Sequence, residues 1–238
     1  MKSIYDEIVY SKSKGQKLLA ILIDPDKVSM ASVAELSAAI NSSPATHVLV
    51  GGSSFEGDFL NVLIHTLKKT LHLPILLFPG SATQISAEAD GILFLSLVSG
   101  RNPDYLIEQQ VQSVPLLNKT QLEVIPTAYI LVESGSETAV ARISKTQPLD
   151  RNNPAYILQT AQAGVYLGNK LIYLEAGSGA KLSVPTELIA LVANNTTVPL
   201  VVGGGIRSAA EIKKAFDWGA DMVVIGTAFE NDNNFFNT

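Results

Sequence analysis

Hydrophobic residues along the chain form two kinds of segment that alternate. Short apolar runs, mostly continuous rather than alternating with polar residues, indicate strands buried on both faces, as in a parallel sheet covered by helices. Eight such runs are predicted as strands, at residues 18–23, 47–50, 74–78, 91–96, 123–132, 171–175, 198–202 and 221–225. Between most of them apolar residues recur at helical spacing, as at Val33, Leu36 and Ile40.

Capping residues mark the beginnings of several predicted helices. Asn102 and Asn153 are each followed by proline, which suits the N-cap and the first position of a helix. Ser208 and Glu211 form a capping box at the start of a helix predicted over residues 209–217.

Strands alternating with helices predict an α/β protein, and eight repeats in 238 residues favour a TIM (β/α)8 barrel over an open doubly wound sheet. Two segments depart from the regular pattern. Residues 79–90 are short, polar and without a helical stripe, and the chain stops soon after the eighth strand in the polar residues 231–238. We therefore predict one domain over residues 1–238, a modified barrel with the third helix missing or irregular and the eighth stunted.

Composition narrows the class of protein. Hydrophobic residues make up 47% of the chain and the net charge is −5, so the chain should fold rather than stay disordered. Seventeen basic residues against 22 acidic ones leave no excess for nucleic-acid backbones, and we expect no nucleic-acid partner. The chain has no cysteine, no apolar run of spanning length and no secretory signal at its start, which predicts a cytoplasmic protein.

The carboxyl ends of the strands are the place to look for chemistry, because active sites of such barrels lie there. Five strand ends carry acidic, glycine or hydroxyl residues. They are Asp24-Pro25-Asp26-Lys27, Gly51-Gly52-Ser53-Ser54, Tyr173 to Gly179, Gly203-Gly204-Gly205-Ile206-Arg207-Ser208 and Gly226-Thr227.

The last two strand ends predict a phosphate site. Glycine allows backbone N–H groups to approach an anion, and Gly204 and Gly205 precede a helix N-terminus, which favours negative charge. Gly226 and Thr227 supply further donors from the next strand. The alternative is that these glycines only form tight turns between strand and helix.

The first strand end offers a cation site. Asp24 and Asp26 are hard oxygen ligands that suit Mg²⁺, and the hydroxyl of Ser53 could complete the shell. The alternative is an Asx turn, since aspartate and proline are common in turns.

Glu175 is a carboxylate at the end of a buried strand, where charged residues are rare without a partner. It could act as a general base or bind hydroxyl groups, or it could form a salt bridge with Lys27 or Arg207. Tyr173 lies on the same face by the two-residue period, and either orients a substrate hydroxyl or fills the barrel.

Together these motifs resemble the geranylgeranylglyceryl phosphate synthase family, which includes the bacterial heptaprenylglyceryl phosphate synthases. The match is closer to the longer-chain branch, because the shorter branch has lysine where this chain has Leu22. The motifs that carry the resemblance are Asp24-Pro25-Asp26-Lys27, Val50-Gly51-Gly52-Ser53, Tyr173-Leu174-Glu175-Ala176-Gly177-Ser178-Gly179, Val202-Gly203-Gly204-Gly205-Ile206-Arg207 and Val224-Ile225-Gly226-Thr227.

The resemblance implies transfer of a geranylgeranyl or similar prenyl group from its diphosphate to the C3 hydroxyl of sn-glycerol 1-phosphate, with Mg²⁺. Asp24 and Ser53 would hold the metal, and Glu175 and Tyr173 would be the catalytic pair. Glycerol phosphate would be bound by Tyr173, Leu174, Glu175, Ala176, Gly177, Ser178, Gly179, Gly204, Gly205, Gly226 and Thr227. The resemblance also implies a homo-oligomer, with at most peripheral membrane contact.

A prenyl tail needs an apolar groove, and the candidate lining residues are Phe78, Phe94, Tyr105 and Tyr129. Two other functions share the glycine motifs. One is a phosphate-binding barrel isomerase or lyase of the aldolase type, and the other is a non-catalytic phosphate-binding barrel.

Overall fold

A closed parallel barrel forms the centre of the protein. The computed structural model describes residues 3–52, 59–232 and 235–236, and eight strands in this part pair in chain order, with β8 returning to β1. The strands are β1 Leu18–Ile23, β2 His47–Val50, β3 Ile75–Leu77, β4 Gly91–Leu97, β5 Glu123–Leu131, β6 Leu171–Glu175, β7 Leu200–Gly203 and β8 Met222–Ile225. The predicted barrel is confirmed, and the open sheet is excluded because Leu18 pairs with Met222.

Helices connect most of these strands. Within the described ranges they are α1 Ile4–Ser13, α2 Val33–Ser42, α3 Phe59–Thr70, α4 Gln109–Leu117, α5 Ala139–Ser144, α6 Pro154–Tyr166, α7 Thr186–Asn195, α8 Ala209–Asp217 and α9 Thr227–Asn231. A 3₁₀ turn at Pro25–Lys27 follows β1, and a π-helical segment at Asp104–Glu108 leads into α4. The predicted caps form as well, since the side chain of Asn153 accepts the N–H of Tyr156, and that of Ser208 accepts the N–H of Glu211.

The two irregular connections are where the sequence predicts them. Residues 79–90, all of them described, contain turns and bends but no helix, so β3 passes to β4 without the usual helical cover. The helix after β8, α9, has only five residues. The chain thereby leaves one side of the barrel rim without a helix.

The core has two layers, because successive strand residues face opposite sides. One layer fills the barrel interior and includes Leu49 and Leu76, while the other lies between the strands and the helices and includes Val48 and Val50. Among the described residues, no helix combines the length and the apolar character needed to cross a membrane.

Helix α1 covers the amino-terminal end of the barrel. Its buried Ile4 and Ile8 belong to the interior core layer. Glu123, at the start of β5, accepts hydrogen bonds from the Ser3 hydroxyl at 2.5 Å and from the N–H groups of Ile4 at 2.6 Å and Tyr5 at 2.9 Å. A carboxylate thus satisfies donors that the first turn of a helix leaves free.

Replacing Glu123 by glutamine should destabilise the protein in a pH-dependent way. Burial of the carboxyl opposes ionisation, but the three hydrogen bonds outweigh it and lower the pKa of Glu123. A carboxyl whose pKa is lowered by folding stabilises the protein at pH values above its ordinary pKa. This stabilisation is lost as the pH falls through the lowered pKa. We expect a loss of about 0.5–2 kcal/mol at neutral pH in urea unfolding, in line with other helix caps. The loss should shrink in acid, and an equal loss at both pH values would contradict this explanation.

Candidate active site

A cavity of about 660 Å³ opens at the carboxyl ends of the strands. It brings together residues from the loops after β1, β6, β7 and β8, which are far apart in the sequence. The candidate residues that line it are Asp24, Tyr173, Glu175, Gly177, Ser178, Gly179, Gly204, Gly205, Gly226 and Thr227. One rim therefore presents the acidic residues and the glycine loops to a common space.

Two of the candidate residues do not line the cavity. Leu174 and Ala176 are fully buried in the layer between strands and helices. Their side chains point away from the cavity because Tyr173 and Glu175, their neighbours in β6, face inward. A third candidate, Ser53, lies outside the described residues.

Glu175 sits at the floor of the cavity, buried yet without an ion-pair partner among the described residues. Desolvation by burial raises the pKa of its carboxyl to about 7, against the smaller opposing effect of the Gly177 N–H, which donates to Oε1 at 2.6 Å. The alternative salt bridge is wrong, because Lys27 contacts Asp24 and Glu230 and Arg207 donates to the carbonyl of Ala180. A carboxyl with this pKa exchanges protons readily near neutral pH.

An aromatic cluster lies beside Glu175 inside the barrel. The ring of Tyr173 stacks on Phe78 at a centroid distance of 5.4 Å and meets Tyr129 edge-on at 5.3 Å. Burial first, and then the charge of Glu175, raise the pKa of Tyr173 well above its ordinary value, so its phenol stays protonated. The hydroxyl lies near the carboxylate but meets hydrogen-bond geometry with no described residue. A small rotation would let it donate to Glu175 or to a bound hydroxyl.

The glycine loops have the backbone conformation that an anion site needs. Gly204 and Gly205 have φ of +80° and +71°, a region that side chains disfavour. A Cβ on Gly204 would come within 2.2 Å of Glu175 Oε1 and 2.5 Å of the Gly177 nitrogen. The N–H groups of Gly204 and Gly205 donate to no other described residue, and α8 begins just beyond them. The loops after β6 and β7 are therefore in close contact, and only glycine fits between them.

The loop after β1 lies next to the loop after β8 on the same rim, because β1 pairs with β8. Asp24 Oδ1 accepts the N–H of Asp26 at 3.1 Å, and Asp24 Oδ2 lies 3.4 Å from Lys27 Nζ. Lys27 is also bound to Glu230 of α9, with Nζ 2.8 Å from Oε2. Partial burial works against the ammonium of Lys27, but its contacts with Glu230 and Asp24 outweigh this and raise its pKa, so it remains charged.

The loop after β1 suits a divalent cation that is shared with a substrate. Mg²⁺ in proteins commonly binds one or two carboxylates together with substrate phosphates. Gly52 lets the Asp24 carboxylate lie close to the main chain after β2, since a Cβ there would come within 2.5 Å of Oδ1. Within residues 3–52, 59–232 and 235–236, no three His, Cys, Asp or Glu side chains converge as an all-protein cage. The loop therefore fits a cation that is held jointly by Asp24 and by a phosphate group of a bound substrate.

The side of the cavity under the helix-free segment is apolar. All four aromatic residues predicted to line a groove, namely Phe78, Phe94, Tyr105 and Tyr129, border the cavity. Residues 79–82 and Ile85 of the helix-free segment also border it.

Two contributors to the site were not expected from the sequence. Glu230 joins the rim from α9, and the buried Gln110 reaches the apolar side from α4. Neither carries a sequence signal, because their positions depend on the closed barrel. Arg207, which the sequence offers as a partner of Glu175, instead ties the loop after β7 to the loop after β6.

Comparisons with known proteins agree with this geometry. The model of the PcrB family matches residues 12–237. The chain is 58% identical to the geranylgeranylglyceryl phosphate synthase of Flavobacterium johnsoniae, covering 100% of this chain and 98% of that protein. The enzyme of that name from Thermoplasma acidophilum, solved in complex with its substrate sn-glycerol-1-phosphate, superposes with a TM-score of 0.94 at 30% identity, covering 100% and 95% of the two chains. The wild-type enzyme from Thermoplasma volcanium gives 0.92 at 32% identity, covering 99% and 94%.

Proposed function

This chain belongs to the PcrB family, and we propose that it works as a geranylgeranylglyceryl phosphate synthase. The reaction moves a prenyl group from its diphosphate to the C3 hydroxyl of sn-glycerol 1-phosphate and produces an ether. The observation that supports this most strongly is the position of Glu175. The same cavity holds this buried carboxylate, the glycine loops and an apolar side under residues 79–90.

Glycerol phosphate would bind with its phosphate on the N–H groups of the loops after β7 and β8. The N–H groups of Gly204 and Gly205, in the loop that leads to α8, have no acceptor among the described residues, and Gly226 and Thr227 add the neighbouring loop. This placement brings the C3 hydroxyl toward Glu175, since Gly204 lies against that carboxylate.

The chemical step exchanges one C–O bond for another. The C3 oxygen of glycerol phosphate forms a bond to C1 of the prenyl group, and the bond from C1 to the diphosphate oxygen breaks with its electron pair leaving on the diphosphate. Glu175 accepts the proton of the attacking hydroxyl at a carboxylate oxygen. The neutral phenol of Tyr173 orients either that carboxylate or the hydroxyl.

The leaving diphosphate is the reason to propose a metal. Asp24, together with Ser53, would hold Mg²⁺, which supplies charge stabilisation for a leaving phosphate group. Asp24 is supported by its half-buried position on the cavity and by the close approach of its carboxylate to Gly52, which leads to Ser53. Lys27, at the same rim, adds positive charge on the side where the diphosphate would lie.

The prenyl tail would lie along the apolar side of the cavity. Burying one methylene is worth about 0.8 kcal/mol, so a chain of about twenty carbons gains much of its affinity from this surface even after the cost of ordering it. Phe78, Phe94, Tyr105 and Tyr129 would contact this chain.

A transfer assay tests the proposed function. Purified protein is incubated with radiolabelled sn-glycerol 1-phosphate or its enantiomer, several prenyl diphosphates and Mg²⁺, and label extracted into organic solvent is counted. We expect extraction with sn-glycerol 1-phosphate and a long donor, little with the enantiomer, and a loss on chelation of the metal. Absence of lipid-soluble label with every donor would contradict the function.

A further inference from the structure

We propose that Glu230 is a positioning residue that holds Lys27 off the Asp24 carboxylate and so keeps that carboxylate available to a divalent cation. This assignment rests on the proposed role of Asp24 as a metal ligand, and it extends the cation site to two side chains that do not bind the cation themselves. It also gives α9, the stunted eighth helix, a part in the reaction.

The ammonium of Lys27 is shared unequally between two carboxylates. Its Nζ lies 2.8 Å from Glu230 Oε2, a hydrogen-bonded ion pair, and 3.4 Å from Asp24 Oδ2, a looser contact. The Glu230 side chain is 14% exposed, whereas that of Asp24 is 24% exposed. The better-buried carboxylate thus has the shorter bond, and Asp24, which borders the cavity, keeps only the looser contact through Oδ2.

Glu230 also fixes the main chain at Asp24. Its Oε1 accepts the N–H of Asp24 at 3.3 Å, while its own N–H donates to the carbonyl of Gly226 at 3.0 Å. One side chain therefore ties the loop after β1 to the loop after β8. These two loops follow neighbouring strands of the barrel, and they carry the proposed cation and phosphate sites.

The ammonium of Lys27 and a divalent cation would compete for the Asp24 carboxylate. An ammonium in close contact with Asp24 Oδ2 has to be displaced before a cation can bind there. With Glu230 present, Lys27 already has a better partner. Without it, Asp24 is the described carboxylate that is already in contact with Nζ, and the ammonium should move onto it. The cation would then bind more weakly even though Asp24 is intact.

Direct binding of Mn²⁺, followed by the electron paramagnetic resonance signal of the free ion, tests this without measuring activity. We expect Glu230→Gln to weaken Mn²⁺ binding by about two- to fivefold, which is the fold-change expected for loss of one partly exposed ion pair. Glu230→Asp keeps the charge but shortens the side chain, and it should also weaken binding. The double variant Glu230→Gln with Lys27→Met removes the competing ammonium and should restore binding toward the wild-type value.

The controls separate this inference from the metal site itself. Asp24→Asn should lose Mn²⁺ binding, and thermal unfolding of each variant checks that it folds. If the wild type does not bind Mn²⁺, or if Asp24→Asn binds it as tightly as the wild type, the proposed metal site fails and the role of Glu230 fails with it. If Asp24→Asn loses binding while Glu230→Gln binds as the wild type does, only the role of Glu230 is overturned. Failure of the double variant to recover, or wild-type binding by Glu230→Asp, also overturns it, since neither fits a displaced ammonium.

Discussion

Replacing Glu175 by glutamine should lower turnover by about 10²–10⁴-fold, the usual contribution of a general base. The amide keeps the shape of the side chain and can still accept the N–H of Gly177, but it cannot take a proton from the attacking hydroxyl. Turnover measured at saturating concentrations of both substrates tests this directly. A rate near that of the wild type would remove Glu175 from the chemical step.

The pH dependence of kcat/KM is a second test of Glu175 as the general base. Because burial raises the pKa of Glu175 to about 7, the base is ionised only above that value, and kcat/KM should rise with pH around it. The substrate phosphate titrates at about pH 6 and contributes its own rise, by analogy with phosphorylated side chains. In Glu175→Gln the rise due to the substrate should remain and the rise near pH 7 should disappear.

The substitution Glu175→Gln should raise the free energy of unfolding while it lowers turnover. A carboxyl whose folded pKa lies above its unfolded value contributes nothing below the unfolded pKa, and it destabilises the fold increasingly as the pH rises toward the folded pKa. A shift from 4.5 to about 7 corresponds to at most about 3 kcal/mol. Glu175→Gln should therefore be more stable than the wild type above neutral pH in urea unfolding. Loss of stability at that pH would indicate that its inactivity comes from misfolding.

Replacing Gly204 by alanine should have the second largest effect, because it affects both halves of the site. The added Cβ would collide with the Glu175 carboxylate and with the main chain of Gly177, and the backbone has φ of +80°. The main chain cannot rotate away as a side chain would, so the loops after β6 and β7 must separate. We expect kcat/KM for glycerol phosphate to fall by at least about 10²-fold, since small displacements of catalytic groups carry costs of this size.

Gly168 supplies a matched control. It has φ of +95°, but a Cβ there would meet nothing within 4 Å, so Gly168→Ala adds backbone strain without a collision. This control should cost about 1 kcal/mol of stability and leave kinetic constants unchanged. If Gly204→Ala also kept its KM and kcat, the close contact of the two loops would have no part in binding.

Much of the barrel could be predicted because its signals are local. The continuous apolar runs at β1, β2 and β6 match the observed strands in full, and the capping box sets the start of α8. The missing helix after β3 was predictable for the same reason, since a segment without an apolar stripe has nothing to bury against the sheet.

Features that depend on distant contacts could not be predicted. Helix α1 closes the barrel through Glu123, which is about 120 residues away in the chain, and its own apolar pattern is weak. Glu230 meets Lys27 only because β8 closes onto β1. Leu174 is a different case, because the local two-residue period of β6 already turns it to the helix side and Tyr173 to the barrel interior, a distinction that the family resemblance does not make.

The helix-free stretch after β3 has a consequence for how two unlike molecules reach one another. Under the proposed function, glycerol phosphate would enter along the barrel axis, and the prenyl chain would enter from the side past residues 79–82, where no helix covers the strands. The two substrates would then not compete for one entrance, and the hydrocarbon would not have to pass through an interior that is filled by side chains such as Leu49 and Leu76. The absence of one helix thus leaves the barrel accessible from the side as well as from its carboxyl end.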